Sequence, residues 1–150
     1  MNAYIGKSIS FDAAHRLPEH KGLCRNVHGH RYVVEVQFGL INSSNRDMIL
    51  DYGDIKTEIL EPLVKEPLDH AYIGFEEDSV TMYLKSLGLK VYLMPYIPTA
   101  ENIAGHLYCN ILEYMQGKKK EYGDVNFMGV KVYETPTSYA FFSGINEGSK

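Results

Sequence analysis

From His28 to Leu40 apolar and polar side chains alternate, and that alternation constrains the rest of the chain. Tyr32, Val34, Val36, Phe38 and Leu40 share one parity, and Arg31, Glu35 and Gln37 the other. This is the two-residue period of a strand buried on one side. His28 and His30 carry the parity of the apolar set, with only Gly29 between them. Their imidazoles therefore stand side by side at one end of the buried face, an arrangement suited to a metal ion.

A metal site needs a third ligand, and His15 offers one. In the preceding segment Ile9, Phe11, Ala13 and His15 also fall on alternate positions, which predicts a first strand from about Tyr4 to Ala14. If the two strands form a hairpin, three imidazoles converge. Three neutral nitrogens with one vacant position describe a catalytic zinc site. Cys24, four residues ahead of His28, leaves a second reading open, in which its thiolate closes the site as a structural fourth ligand. The open site has the advantage that it leaves a free thiol for chemistry, and a chain of 150 residues does not need zinc in order to fold.

That length predicts a single domain over residues 1–150. With 45% hydrophobic and 23% charged residues, the composition is that of an ordinary globular protein. A net charge of −4 gives no reason to expect a general nucleic-acid binder. No apolar run approaches the roughly 20 residues that span a bilayer, and the first residues lack a signal-peptide pattern, so a cytoplasmic protein without a membrane partner is expected. Cys24 and Cys109 make no disulfide framework. Arg16, Lys21, Arg25 and Arg31 flank the proposed metal site. The run Lys118 to Lys120 reads as a solvated helix end.

Residues Leu17 to Leu23 read as loop, and Asn42 to Asp47 as a turn. Asp51 is placed to cap a helix starting near Tyr52 or Asp54, with Ile55, Ile59 and Leu63 on one side. Pro62 is expected to kink it or force a restart. Asp78 predicts a short helix through Val80, Leu84 and Leu87, closed by Gly88, and Leu89 to Met94 a short extended piece. Thr99 predicts the cap of a helix of about four turns carrying Ile103, Leu107, Ile111 and Tyr114. His106 and Cys109 on that helix read as structural.

Met128, Val130, Val132 and Glu134 alternate on a third strand, and Ser138 to Ser143 form a fourth. The order β-β-α-α-β-β predicts an α+β domain, an antiparallel sheet with helices covering one face. Its two bare edges invite pairing with another chain. Glu134 has the parity of the covered face, where a carboxylate is costly without a partner. A Lys or Arg would satisfy it, and so would a planar ligand with two adjacent N–H donors in a two-pronged contact.

Five motifs in order, FDAAHRL at Phe11, CRNVHGH at Cys24, LDH at Leu68, PTAEN at Pro98 and VYET at Val132, resemble the 6-pyruvoyl-tetrahydropterin and 6-carboxytetrahydropterin synthase family along nearly the whole chain. The resemblance implies a tunnelling-type fold whose subunits join edge to edge into a barrel, as trimers or hexamers, with active sites at subunit interfaces. It implies Zn2+ on His15, His28 and His30, a catalytic Cys24, a charge-relay pair of Asp69 and His70, and a pterin anchored by Glu134, with Thr99 and Glu101 lining the pocket. Asp69 and His70 are adjacent, so on a strand they would diverge, and they need a turn to work as a pair.

The implied activity is a zinc-dependent lyase acting on 7,8-dihydroneopterin triphosphate. The FDAAHRLPEH and LDH forms look closer to the branch that makes 6-carboxy-5,6,7,8-tetrahydropterin for queuosine synthesis than to the pyruvoyl branch of biopterin synthesis. Cys24 counts against a third, folate-linked branch that carries Glu there. A metal-stabilised pterin-binding scaffold without turnover is the non-enzymatic alternative.

Overall fold

The computed structural model describes residues 3–41 and 46–144. Part of the expected turn at Asn42 to Asp47 lies outside them. The two long strands β1 (Tyr4–His15) and β2 (His28–Leu40) pair antiparallel, with Phe11 opposite Tyr32, Ala13 opposite His30 and His15 opposite His28. The register thus places the apolar parities of both strands on one face. β5 (Val125–Thr135) pairs with β2, Val34 opposite Val132 and Val36 opposite Val130, and β6 (Ser138–Phe142) pairs with β5.

These four strands are the antiparallel frame expected from the alternation. Two short strands extend it. β3 (Tyr72–Phe75) lies parallel to the end of β1, with Ala14 opposite Tyr72 and His15 opposite Ile73, and β4 (Val91–Met94) lies parallel to β3. The sheet is therefore mixed and six-stranded, in the order β4-β3-β1-β2-β5-β6. Both parallel joins are crossovers through helices, as parallel pairing demands.

The first crossover is helical from α1 (Tyr52–Asp54), through a π-helix (Ile55–Lys65), to α2 (Glu66–Leu68). Asp51 caps it, its carboxylate accepting from Gly53 N at 2.6 Å. Pro62 was expected to interrupt this helix, but the π-helix runs through it. Pro62 lies on the exposed side, and the wider turn gives the ring room against the carbonyls of the preceding turn. The second crossover is α3 (Ser79–Ser86), capped by Asp78 and ended by Gly88, whose φ of 74° is the left-handed conformation common just past a helix end. Gly74 lets α3 close on β3: a Cβ there would stand 2.4 Å from Thr81.

α4 (Ala100–Gly117) is one turn longer than its apolar spacing suggested, and Thr99 caps it through Asn102 N at 3.2 Å. α5 (Lys119–Tyr122) follows. Ile55, Ile59 and Leu60 of the π-helix and Ile103, Leu107 and Ile111 of α4 join Phe11, Val34, Val36, Val130 and Val132 in one core on the covered face of the sheet. Burying each such side chain contributes about 1.5–3 kcal/mol. The core stops at His15, which is fully buried where the apolar register runs out. Among the described residues no helix is long and apolar enough to cross a membrane.

Candidate metal centre and active site

The hairpin register carries the three imidazoles to one point. The ligand nitrogens of His15, His28 and His30 lie within 4.8 Å of one another, and His15 Nε2 is 3.1 Å from His28 Nε2. The far ring nitrogens are committed elsewhere: His15 Nδ1 lies 2.8 Å from Pro98 O, and His28 Nδ1 lies 2.7 Å from Asn26 O. A carbonyl only accepts, so each Nδ1 carries the proton and each Nε2 of the neutral rings presents a lone pair. His30 Nε2 is buried without a hydrogen-bond partner.

Glu134 also converges here, its Oε1 3.1 Å from His15 Nε2 and 3.5 Å from His30 Nε2. A protonated His15 would donate from Nε2 to the Glu134 carboxylate and so holds that carboxyl below the usual range, while burial pushes the His30 imidazole down. Three nitrogen lone pairs and a carboxylate crowded into one place favour added positive charge, either a proton or a cation. Nitrogens bound at about 2.0–2.1 Å to a tetrahedral ion lie roughly 3.3 Å apart, close to the spacing of the His15 and His28 nitrogens. The imidazole set fits a divalent transition metal. Cys24 is not among the converging ligand atoms, which favours the open site over the closed one.

Cys24 sits half-buried in a short 3-10 turn, Leu23–Arg25, and its carbonyl accepts from Leu17 N at 2.9 Å. The Asp69-His70 step makes the turn that a working pair requires. His70 adopts φ of 59°, a left-handed conformation costly for a bulky residue, and Asp69 Oδ2 lies 3.0 Å from its Nδ1. Asp69 Oδ1 accepts from Asp12 N at 3.0 Å, and His70 N donates to Asp12 O at 2.7 Å. The Asp12 amide hydrogen bond, with His70 beside it, holds the Asp69 carboxyl below the ordinary range.

Sequence reasoning missed two supports of this turn. One is the backbone of Asp12. The other is Lys90, whose Nζ donates to Glu66 O at 2.8 Å and Asp69 O at 2.7 Å. Nothing in the local sequence marks either. The part played by Pro98 was nearer to hand, since it opens the PTAEN motif.

A groove of about 590 Å³ is lined by Asp12, Gly29, His30, His70, Tyr72 and Lys90 among others. A second, of about 580 Å³, opens at His30, Arg31, Tyr133 and Glu134. Thr99 and Glu101 line neither; Thr99 caps α4, and Glu101 is exposed on its first turn. His106 accepts or donates a 2.8 Å hydrogen bond with Tyr92 OH, in keeping with a structural part, and Cys109 is exposed.

The profile of the 6-pyruvoyl tetrahydropterin synthase family matches residues 4–144. The chain belongs to that family. Proteins named 6-carboxy-5,6,7,8-tetrahydropterin synthase are among its relatives. The one from Rickettsia conorii is 35% identical over 137 residues, spanning 89% of this chain and 94% of the relative. The one from Synechocystis is 35% identical over 144 residues, spanning 93% and 92%. The expectation of an enzyme is met by these relatives, each of which is named a synthase. The fold recurs in an uncharacterised protein of Wolinella succinogenes, with a TM-score of 0.72 at 21% identity over 94% of this chain and 97% of the other. It recurs too in 6-pyruvoyl tetrahydropterin synthase of Caenorhabditis elegans, with a TM-score of 0.60 at 24% identity and 95% of each chain covered.

Proposed function

We propose that this protein is a zinc-dependent lyase that converts 7,8-dihydroneopterin triphosphate to 6-carboxy-5,6,7,8-tetrahydropterin, releasing acetaldehyde and triphosphate, in the cytoplasmic synthesis of 7-deazapurines such as queuosine. The observation that carries the reading is the convergence of three imidazoles, two of which, His15 and His28, have their Nδ1 already tied to a carbonyl and so turn an Nε2 lone pair inward. The names of the 6-carboxy relatives support the choice of product.

His15, His28 and His30 would hold the Zn2+. When bound, the ion supplies a Lewis acid with a vacant position that acidifies hydroxyl and adjacent C–H protons of the substrate side chain. Cys24 acts as general base on a side-chain proton. The Asp69 carboxylate fixes the tautomer and orientation of His70, so that His70 Nε2 accepts and returns protons in the groove it lines. Glu134 accepts two N–H bonds from the aminopyrimidinone edge of the pterin; its place in the groove beside His30 supports this. Thr99 and Glu101 are assigned to the substrate side on their position next to Pro98, whose carbonyl holds His15. The bare sheet edges support assembly of the chain with copies of itself as trimers or hexamers.

The deciding experiment incubates zinc-loaded protein with 7,8-dihydroneopterin triphosphate and identifies products by mass spectrometry. A carboxypterin with acetaldehyde is the expected result. A pyruvoyl product would move the protein to the other branch, and no conversion would leave a binding scaffold.

A further inference from the structure

Arg16 and Asp78 are drawn into no step of the proposed reaction, yet they form a two-pronged and largely buried ion pair near the site. Arg16 Nε donates to Asp78 Oδ2 at 2.7 Å and Nη2 to Asp78 Oδ1 at 2.8 Å. The side chains are only 22% and 4% exposed. A carboxylate so buried must keep its partner, and the two-pronged contact fixes the guanidinium plane. Asp78 is itself held in place, since its Oδ1 accepts from Val80 N at 3.2 Å as the cap of α3.

The third arm of Arg16 reaches the catalytic side. Its Nη1 donates to Arg25 O at 3.1 Å, the carbonyl immediately after Cys24. The turn that carries Cys24 buries no residue; its Leu23 is 84% exposed, and Val27 just beyond it 54%. Apolar packing therefore does not position it. Besides bonds internal to residues 20–26, the ties that fasten it to the end of β1 are Leu17 N to Cys24 O and Arg16 Nη1 to Arg25 O.

We propose that the crossover between β3 and β4 serves as a brace for the thiol: Asp78 sets the guanidinium of Arg16, and Arg16 sets the turn bearing Cys24. Arg16 and Asp78 are then positioning residues for the reaction proposed above, on which this inference rests. It also gives a purpose to the segment from Gly74 to Tyr96, whose sequence suggests none. A base has to lie within hydrogen-bond reach of its proton, and a displacement of about 1 Å costs about 100-fold in rate.

The test uses the zinc-loaded full chain carrying Cys109→Ser, which leaves Cys24 as the single thiol. Arg16→Lys keeps the charge and loses the planar fork, and Asp78→Asn keeps an acceptor for Val80 N while weakening the pair. Three quantities are read in each variant: alkylation of Cys24 by iodoacetamide without substrate, kcat and KM, and bound zinc. Alkylation should accelerate about fivefold or more as the turn comes loose. The kcat should fall about 10- to 100-fold with KM within about threefold and zinc unchanged, and the double variant should be no worse than Arg16→Lys. A lower melting temperature with unchanged alkylation and unchanged kcat would mean that the pair is structural only, and would overturn the proposal. Should Arg16→Lys fail to fold, Asp78→Asn decides by the same readouts. Should the parent protein convert no pterin, the proposed function fails, and the alkylation rates still decide whether the pair positions Cys24.

Discussion

Replacing Asp69 with Asn isolates the Asp-His turn from everything else at the site. The exchange is nearly isosteric. Its amide oxygen can still accept from Asp12 N, now 3.0 Å from Oδ1, so the turn keeps its backbone anchor. The change falls on the other side, where Oδ2 faces His70 Nδ1 at 3.0 Å. An amide NH₂ there donates to Nδ1, which moves the ring proton to Nε2 and leaves that nitrogen without the lone pair a base needs. Where an imidazole acts in a water-free site, that tautomer swap costs about 10⁴ in kcat. The His70 side chain is 79% exposed, so water competes for both nitrogens and the penalty shrinks to about 10²–10³.

The assay is steady-state turnover of 7,8-dihydroneopterin triphosphate, with bound zinc and melting temperature measured on the same preparations. His70→Ala should lose as much, and the double variant no more than either single one, because the two side chains act as a unit. Full kcat in Asp69→Asn, or a loss of rate that tracks a loss of zinc, would refute the assignment of this pair.

His28→Ala should weaken zinc binding by more than about 100-fold, seen by metal analysis after dialysis, while the apo fold survives because the residue is only half-buried. Cys24→Ala should keep zinc and substrate affinity and lose about 10³-fold or more in kcat; loss of zinc instead would restore the closed, four-ligand site. Gly74→Ala should cost about 1–3 kcal/mol by thermal unfolding, because Thr81 leaves no room for the methyl group, and pairing it with Thr81→Ala should recover part of that. Acid titration of stability should single out Asp78, whose carboxyl Arg16 holds below its ordinary 3.8. A depressed carboxyl contributes fully above the unfolded value and loses its contribution as pH falls through the folded one. The stability gap between the parent and Asp78→Asn should therefore be widest above about pH 4 and narrow below it; a gap that is flat across this range contradicts the pairing.

What the sequence discloses here is what a residue's immediate neighbours determine. The parity of His15, His28 and His30 follows from strand alternation alone, and so does that of Glu134; the structure finds all four on one face. Asp51, Asp78 and Thr99 were legible as caps because a cap bonds two or three residues ahead. β3 and β4 were not legible as paired strands. Four residues carry too little pattern, and their parallel partners are set by crossovers. The π-helix through Pro62 was hidden for a related reason: proline reports its clash with an α-helix, and the wider coil is selected by the packing of Ile55, Ile59 and Leu60 on the sheet. The ties from Arg16 to Asp78 and from Lys90 to Asp69 span 62 and 21 residues, and no local signal encodes such a distance.

The strained backbone at His70 shows what these long ties hold in place. A non-glycine residue held at positive φ costs about 1–3 kcal/mol and persists only where its surroundings leave it no alternative. Asp12 O takes the His70 amide, Lys65 O takes the Asp69 amide at 2.8 Å, and Lys90 takes the Asp69 carbonyl. Three separate segments of the chain thus hold one peptide step. The outcome is that two adjacent side chains, which a strand would send to opposite faces, turn toward each other. β1 supplies both halves of the site from residues three apart: Asp12, with a parity opposite to that of His15, anchors the Asp-His turn, and His15 anchors the metal cluster. His30 and His70 line one groove, so a shift in the register of β1 against β2 would scatter the three imidazoles and move the Asp-His turn away from His30.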